Sequence, residues 1–297
     1  MAFTPILPPS AKRPRSEAAR SSGLLNALSD IYPLTTWLLV GGSLQALLSL
    51  ITNSWYTAVP VLTLLVLKFL DTLAIHFNLK KNPYLQAAIL HRTAPVIPDS
   101  DGTISTEAAD EKIVVFILGF KVNHPSGLFA PYLKDIGDAN SAMWKELGRT
   151  APDSGYLGSS SWSSRDARGG VHLMTLSYFR STDDLHRFAY GPTHRAIWDK
   201  WNKWNKAGKV DHLGINHEIF EVEKHKWEAV YLNFQPTQLG ATSFLRKGDK
   251  MVGGVVDDQW VGSLMDASKG KLRTSAGRLG RDPNALESVY GADAQGY

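Results

Sequence analysis

Between Asp30 and Lys68 the chain carries no charged residue. Two dense apolar blocks, roughly 31–51 and 56–77, fill that interval and run just past it. Each is about the length a helix needs to cross a bilayer. Asn53-Ser54-Trp55 separates them as a short polar turn, and Trp55 and Tyr56 suit the membrane–water interface. Lys12, Arg13, Arg15 and Arg20 precede the first block, and Lys80 and Lys81 follow the second. By the positive-inside rule both flanks face the cytosol, so the pattern predicts a transmembrane helical hairpin over 31–77. Lys68 and Asp71 interrupt the second block; they either pair on one helix face or mark an early helix end at the interface. A buried hairpin in a soluble fold, and a single span followed by a surface helix, are the competing readings.

The remaining chain divides by composition. Residues 1–30 are rich in Pro, Ser, Ala and Arg and read as a disordered basic N-terminus; 78–110 form a connector containing Pro83, Pro95 and Pro98. Residues 111–236 hold the regular patterns of a soluble domain, and 237–297 read as a polar, largely disordered tail. The net charge of +4 is scattered rather than gathered into a basic patch, which gives no nucleic-acid footprint. With no cysteine among 297 residues, disulfides, thiolate metal sites and thiol nucleophiles are excluded. Gly-rich phosphate loop, HExxH pair, nucleophile elbow and dinucleotide fingerprint are all missing.

Within 111–236, runs rich in Val, Ile and Phe predict strands at 112–122, 171–179, 214–222 and 227–234, with a weaker Gly- and Ser-rich strand at 155–163. Helical spacing of apolar residues covers 129–147, ending near Gly148, and 181–205. This order predicts an α+β fold: an antiparallel sheet with both helices on one face, the ferredoxin-like arrangement. The opposite sheet face needs cover, for which dimerisation is one solution; the space between sheet and helices is a natural ligand site.

The segment 181–205 carries the strongest chemical signal. Ser181 is placed to cap a helix with Asp183 and Asp184 in its first turn, and Gly191-Pro192 breaks and restarts it. Beyond the break His194, Trp198, Trp201 and Asn205 share one face. Indoles wall an apolar pocket well, which makes His194 a candidate catalytic group and Trp198 and Trp201 candidate substrate contacts. His217 alternates with Ile215 and Ile219 and would point inward with them. Asn123 ends the first strand, where a turn role is the alternative, and Tyr178 ends the third.

The stretches GYLGSSSW, YFRSTDDLHRFAYGPTHRAIWDKW, GINHEIFEV and WEAVYLNF resemble the antibiotic-biosynthesis-monooxygenase-like family of the dimeric α/β-barrel superfamily. The likeness is greatest to fungal members of the fumagillin-cluster type. It implies a ferredoxin-like dimeric α/β-barrel domain behind an N-terminal transmembrane hairpin, and a homodimer formed through the sheets. It further implies a monooxygenase that needs no flavin, metal or nicotinamide, drawing electrons from a hydrophobic polyketide or terpenoid substrate and using dioxygen. A multi-pass location in the endoplasmic reticulum, catalytic domain toward the cytosol, would suit so apolar a substrate. On this resemblance His194 is the base, an assignment its ordinary pKa suits. Trp198, Tyr178 and Asn123 line the cavity, with Asn123 a donor to a developing oxyanion. Haem proteins of the same superfamily, aldoxime dehydratases among them, supply an alternative in which His194 is an axial ligand. A non-catalytic polyketide or lipid binder is a third.

Overall fold

A computed structural model of the chain describes residues 3–14, 32–166, 170–248, 251–252, 255–256 and 258–282. The two apolar blocks fold as α1 (Leu34–Thr52) and α2 (Val59–His76), joined through Asn53 in the left-handed region and a 3-10 turn at Trp55–Ala58. Pro60 sits in the first turn of α2, where its missing N–H costs nothing. At the turn the Thr57 hydroxyl meets Gln45 Nε2 at 3.0 Å and Ser49 Oγ at 2.8 Å. No residue of either helix is buried, and both are long and apolar enough to cross a membrane. Asp71 pairs with Lys80 beyond the helix end, which answers the question posed by Lys68 and Asp71: they do not pair with each other.

The next elements are β1 (Ile89–Pro95), β2 (Ile113–Val122), α3 (Leu133–Ser154), β3 (Tyr156–Arg165) and β4 (Val171–Phe179). They are followed by α4 (Thr182–Ala189), α5 (Pro192–Lys206) and β5 (Leu213–Val222). A four-stranded antiparallel sheet in the order β3-β4-β2-β5 has the predicted ferredoxin-like connectivity. β2 is central, as its β-branched and aromatic content on both faces suits. α3 continues past Gly148 to Ser154, longer than its sequence spacing indicates, because Leu147 and Ala151 prolong its buried face; Gly155, at φ 67°, then ends it.

The chain closes with β6 (Tyr231–Phe234), β7 (Ser243–Arg246), β8 (Met251–Val252), β9 (Val255–Val256), β10 (Gln259–Gly262), β11 (Leu264–Asp266) and α6 (Ser275–Arg278). Here three expectations are corrected. The strand expected over 227–234 is short and joins β1 and β11 in a separate sheet rather than the main one. The connector supplies β1 and the buried Ala94, Val96, Ile97, Ala108 and Ala109. The described part of 237–297 is packed: Leu239, Phe244, Val261, Leu264, Met265 and Leu272 are buried. Its apolar runs are too short to signal, and much of its polar content is consumed internally. Arg278, for example, is buried with Nη2 2.6 Å from Glu228 Oε1 and Nη1 donating to the Leu272 and Arg273 carbonyls. Residues 15–30 and 283–297, also read as disordered, lie outside the described residues.

This C-terminal segment answers what covers the helix-free sheet face. Ile113, Leu157 and Tyr178 on that face pack with Ile97, Trp227, Leu239 and Phe244. Over that half the chain covers itself. Toward the other end Trp162, Met174 and Phe220 remain exposed.

The N-terminal arm is likewise ordered where described. Ser10 and Trp260 exchange both backbone hydrogen bonds, and Ile6 N donates to Leu264 O. Arg13 plugs the arm into the domain. Pro152 in α3 cannot donate to the Gly148 carbonyl four residues back, and Arg13 Nη1 reaches that carbonyl at 3.5 Å instead. Its Nη2 donates to Leu157 O at 2.9 Å, and its guanidinium lies over the rings of Tyr156 and Trp260. Arg13→Ala leaves those carbonyls without their donor, a cost of about 1–3 kcal/mol. Its unfolding midpoint should fall in a thermal or denaturant titration; an unchanged midpoint would mean the arm is not structurally coupled to the domain.

Candidate active site

Alternation along the strands sorts the helix-facing residues into rows. From β5 to β3 the middle row reads His217, Leu118, Thr175, Ser161; the rows beside it hold Ile219, Phe116, Ser177, Ser159 and Ile215, Phe120, Leu173, Ser163. The sheet is sealed to the helices at both ends. At one, Val114, Tyr156 and Phe179 pack with Leu147, Ala151 and Leu185. At the other, Val122 and Leu213 pack with Ala130, Ile136 and Val210. Between these cores the floor stays solvent-accessible: Leu173, Ile215 and Ile219 are 40%, 39% and 37% exposed, and His217 and Ser161 are exposed too. The helix-side face is therefore open between the two cores, apolar at its margins with His217, Thr175 and Ser161 in its middle row, and this open stretch is the candidate cleft.

His194 is carried into this space by α5. The segment starts as read: Ser181 Oγ accepts from Asp184 N at 3.1 Å, a cap worth about 1 kcal/mol. The Glu221 carboxylate on β5 accepts from Thr182 N at 3.1 Å and from its hydroxyl, and is held by Lys112. Those hydrogen bonds, led by the Thr182 hydroxyl, push its pKa down to about 2. The start of α4 is thereby tied to β5, and Gly191-Pro192 opens α5 immediately after. His194 is half-buried and its ring meets Phe188 edge-on with centroids 5.5 Å apart. Burial lowers its pKa below the ordinary value and the nearby His217 lowers it further, while a hydrogen bond to the Ala189 carbonyl acts the other way.

The sequence-selected residues separate accordingly. His194 and His217 come together, and the His217 ring lies 5.9 Å from that of Phe116. Trp198, 48% exposed, follows His194 by one turn on the same helix face. Trp201 instead packs at the sealed end, against the cluster of Val122, Ala130, Ile136, Val210 and Leu213. Tyr178 is on the opposite sheet face, buried among Leu157, Leu239 and Phe244, with the Leu239 backbone N–H turned toward its hydroxyl oxygen and its pKa raised by burial. Asn123 lies past the end of β2, exposed, its N–H donating to His212 O at 2.8 Å. Five residues of extended strand separate it from Leu118 in the middle row, about 16 Å. Neither Tyr178 nor Asn123 reaches the cleft floor at His217.

Sequence reasoning missed the hydroxyls. Ser161 Oγ and Thr175 Oγ1 lie 3.1 Å apart in the middle row. The signal was a strand with Ser159, Ser161 and Ser163 alternating on one face, which had counted only as weak β propensity.

A cleft holding a partly buried imidazole near a second imidazole, with hydroxyls across its floor and apolar margins, can remove a proton from a bound organic molecule and stabilise the charge left behind. Residues 113–239 match the monooxygenase af470-like family. The chain is 31% identical over 280 residues to monooxygenase af470 of Aspergillus fumigatus, spanning 94% of this chain and 98% of that protein. Among solved structures, an aldoxime dehydratase in complex with butyraldoxime aligns at 13% identity and a TM-score of 0.32, covering 54% of this chain and 43% of its own. SnoaB, a cofactor-independent oxygenase from Streptomyces nogalater, aligns at 13% identity and a TM-score of 0.25, covering 38% and 95%. At those values neither bears on reaction or cofactor. The identity to the Aspergillus protein over nearly the whole of both chains does carry a conclusion: the chain belongs to the monooxygenase af470-like family and is a monooxygenase.

Proposed function

We propose that this monooxygenase oxygenates an apolar polyketide or polyene, carried on a terpenoid core as in fungal fumagillin-type secondary metabolism, without a bound cofactor. The observation that carries the reading is His194: a half-buried base of lowered pKa at the mouth of an apolar cleft that also holds His217 and a hydroxyl pair. His194 takes a proton from a carbon acidified by a neighbouring carbonyl or conjugated system. The carbanion passes one electron to dioxygen, and the substrate radical and superoxide combine to a peroxide. The imidazolium returns its proton to the peroxide, which loses water to leave a carbonyl. A CH2 group and dioxygen become C=O and water, so the substrate supplies every electron. In this reading His217, near His194, steadies the anionic oxygen, the Thr175–Ser161 pair two strands away meets a more distant polar group of the substrate, and Leu173, Ile219 and Trp198 hold the apolar chain.

The same reading makes α1 and α2 a membrane hairpin of the endoplasmic reticulum, with the catalytic domain on the cytosolic side. Their full apolar exposure and the lysines after α2 support it. A homodimer formed through the sheets would use the uncovered half of the helix-free face, at Trp162, Met174 and Phe220.

Purified enzyme in detergent should be colourless and should consume dioxygen with a polyene–terpenoid substrate. His194→Gln should lower kcat/KM by roughly 10²–10⁴-fold without unfolding the protein. A Soret band that disappears in His194→Ala would overturn the cofactor-free reading in favour of haem ligation. Because burial favours the neutral ring, the rate should be full at neutral pH. It should fall on acidification with its inflection below the ordinary imidazole value of 6.5; an inflection above that value would exclude His194 as the group observed. Tyr178→Phe should leave kcat/KM unchanged while lowering stability by about 1 kcal/mol. A collapse in rate at unchanged stability would show that this hydroxyl does reach the substrate.

A further inference from the structure

We infer that the catalytic domain is seated on an anionic bilayer surface, through an apolar face formed by Tyr84, Leu85, Leu90, Leu232 and Phe234, rather than suspended from the membrane on a tether. The inference rests on the reading of α1 and α2 as membrane-spanning. The chain leaves α2 at His76 and enters β1 at Ile89, with the 3-10 turn Pro83–Leu85 between. Along that passage Tyr84 is 85% exposed. β6 lies at the edge of the β11-β1-β6 sheet, with Phe234 opposite Ile89 and Leu232 opposite Arg92. Leu232 and Phe234 flank Asn233, whose φ of 51° interrupts the regular strand, and are 60% and 51% exposed.

Five large apolar side chains around one edge are an interaction surface rather than ordinary scatter. Their position selects the occupant. They begin within eight residues of the end of α2, and Lys81 stands exposed beside them, where a cation meets anionic headgroups. An aromatic residue with a polar tip such as Tyr84 suits that same depth. The opposite foot of the helix pair is also held against the domain: the Tyr32 hydroxyl donates to Ser126 O at 2.9 Å. Held by contact at the foot of α1 and joined to α2 by the short passage into β1, the domain has little freedom to stand off from the surface its helices enter.

The absence of native cysteine allows a direct test on the full-length chain in nanodiscs containing anionic phospholipid. Single cysteines introduced as Leu64→Cys, Tyr84→Cys, Leu232→Cys and Lys145→Cys would carry nitroxide labels. Collision rates with dioxygen and with a water-soluble nickel chelate would report their depth. The expected result is deep immersion at position 64, headgroup-level immersion at 84 and 232, and full aqueous access at 145. Deep immersion at 64 with aqueous access at both 84 and 232 would overturn the docking surface and leave the spanning helices intact. Aqueous access at 64 would overturn the spanning reading itself. Dipolar broadening between protomers at 232, without lipid exposure, would show that a second copy covers this face instead.

Discussion

From Val114 to Val122 every residue of β2 is paired along both edges of the strand, so its side chains can only project to the two faces of the sheet, and the two faces do different work. Ile113 and Val115 turn toward the C-terminal segment and help build a dry core. Val114 and Val122 turn toward the helices and seal two smaller cores, leaving Phe116, Leu118 and Phe120 beneath the cleft. The sheet is thus a partition, stabilised on one side by packing and kept open on the other over three rows. Moving the register of β2 by one residue would exchange these roles and abolish both.

The open middle has a physical reason. A row of Leu and Val would draw the helices down, since burying each such side chain is worth about 1.5–3 kcal/mol. Here three of the four middle-row positions are His217, Thr175 and Ser161, groups that lose hydrogen bonds to water if buried without partners. The ends supply the stability that the middle forgoes, with Phe179 and Leu147 almost wholly removed from solvent at one of them. Enzymes commonly trade stability for a working site in this way.

Much of the framework was legible because it rests on local signals. The β-branched runs located β2, β4 and β5, and Ser181 with Gly191-Pro192 marked the broken helix α4–α5. His217 could be placed on an inward face because it alternates with Ile215 and Ile219. Other features depend on distant partners that a sequence does not display. Tyr178 could face either side of β4, and only the presence of Leu239 and Phe244 opposite it decides which. Trp201 shares a helix face with His194, but two turns of helix carry it into the neighbouring core. The C-terminal segment hid its folding in short apolar pairs and in Arg278, a buried cation that composition counts as surface.

The arm held by Arg13 has a topological consequence. Residues 5–13 hydrogen-bond to the catalytic domain at Leu264, Trp260 and Leu157, so they lie on the same side of any membrane as that domain. Between the arm and β1 the chain passes through α1 and α2. A path that returns to the side it left crosses a boundary an even number of times. A single crossing is therefore incompatible with the docked arm, whatever the charges that flank the helices.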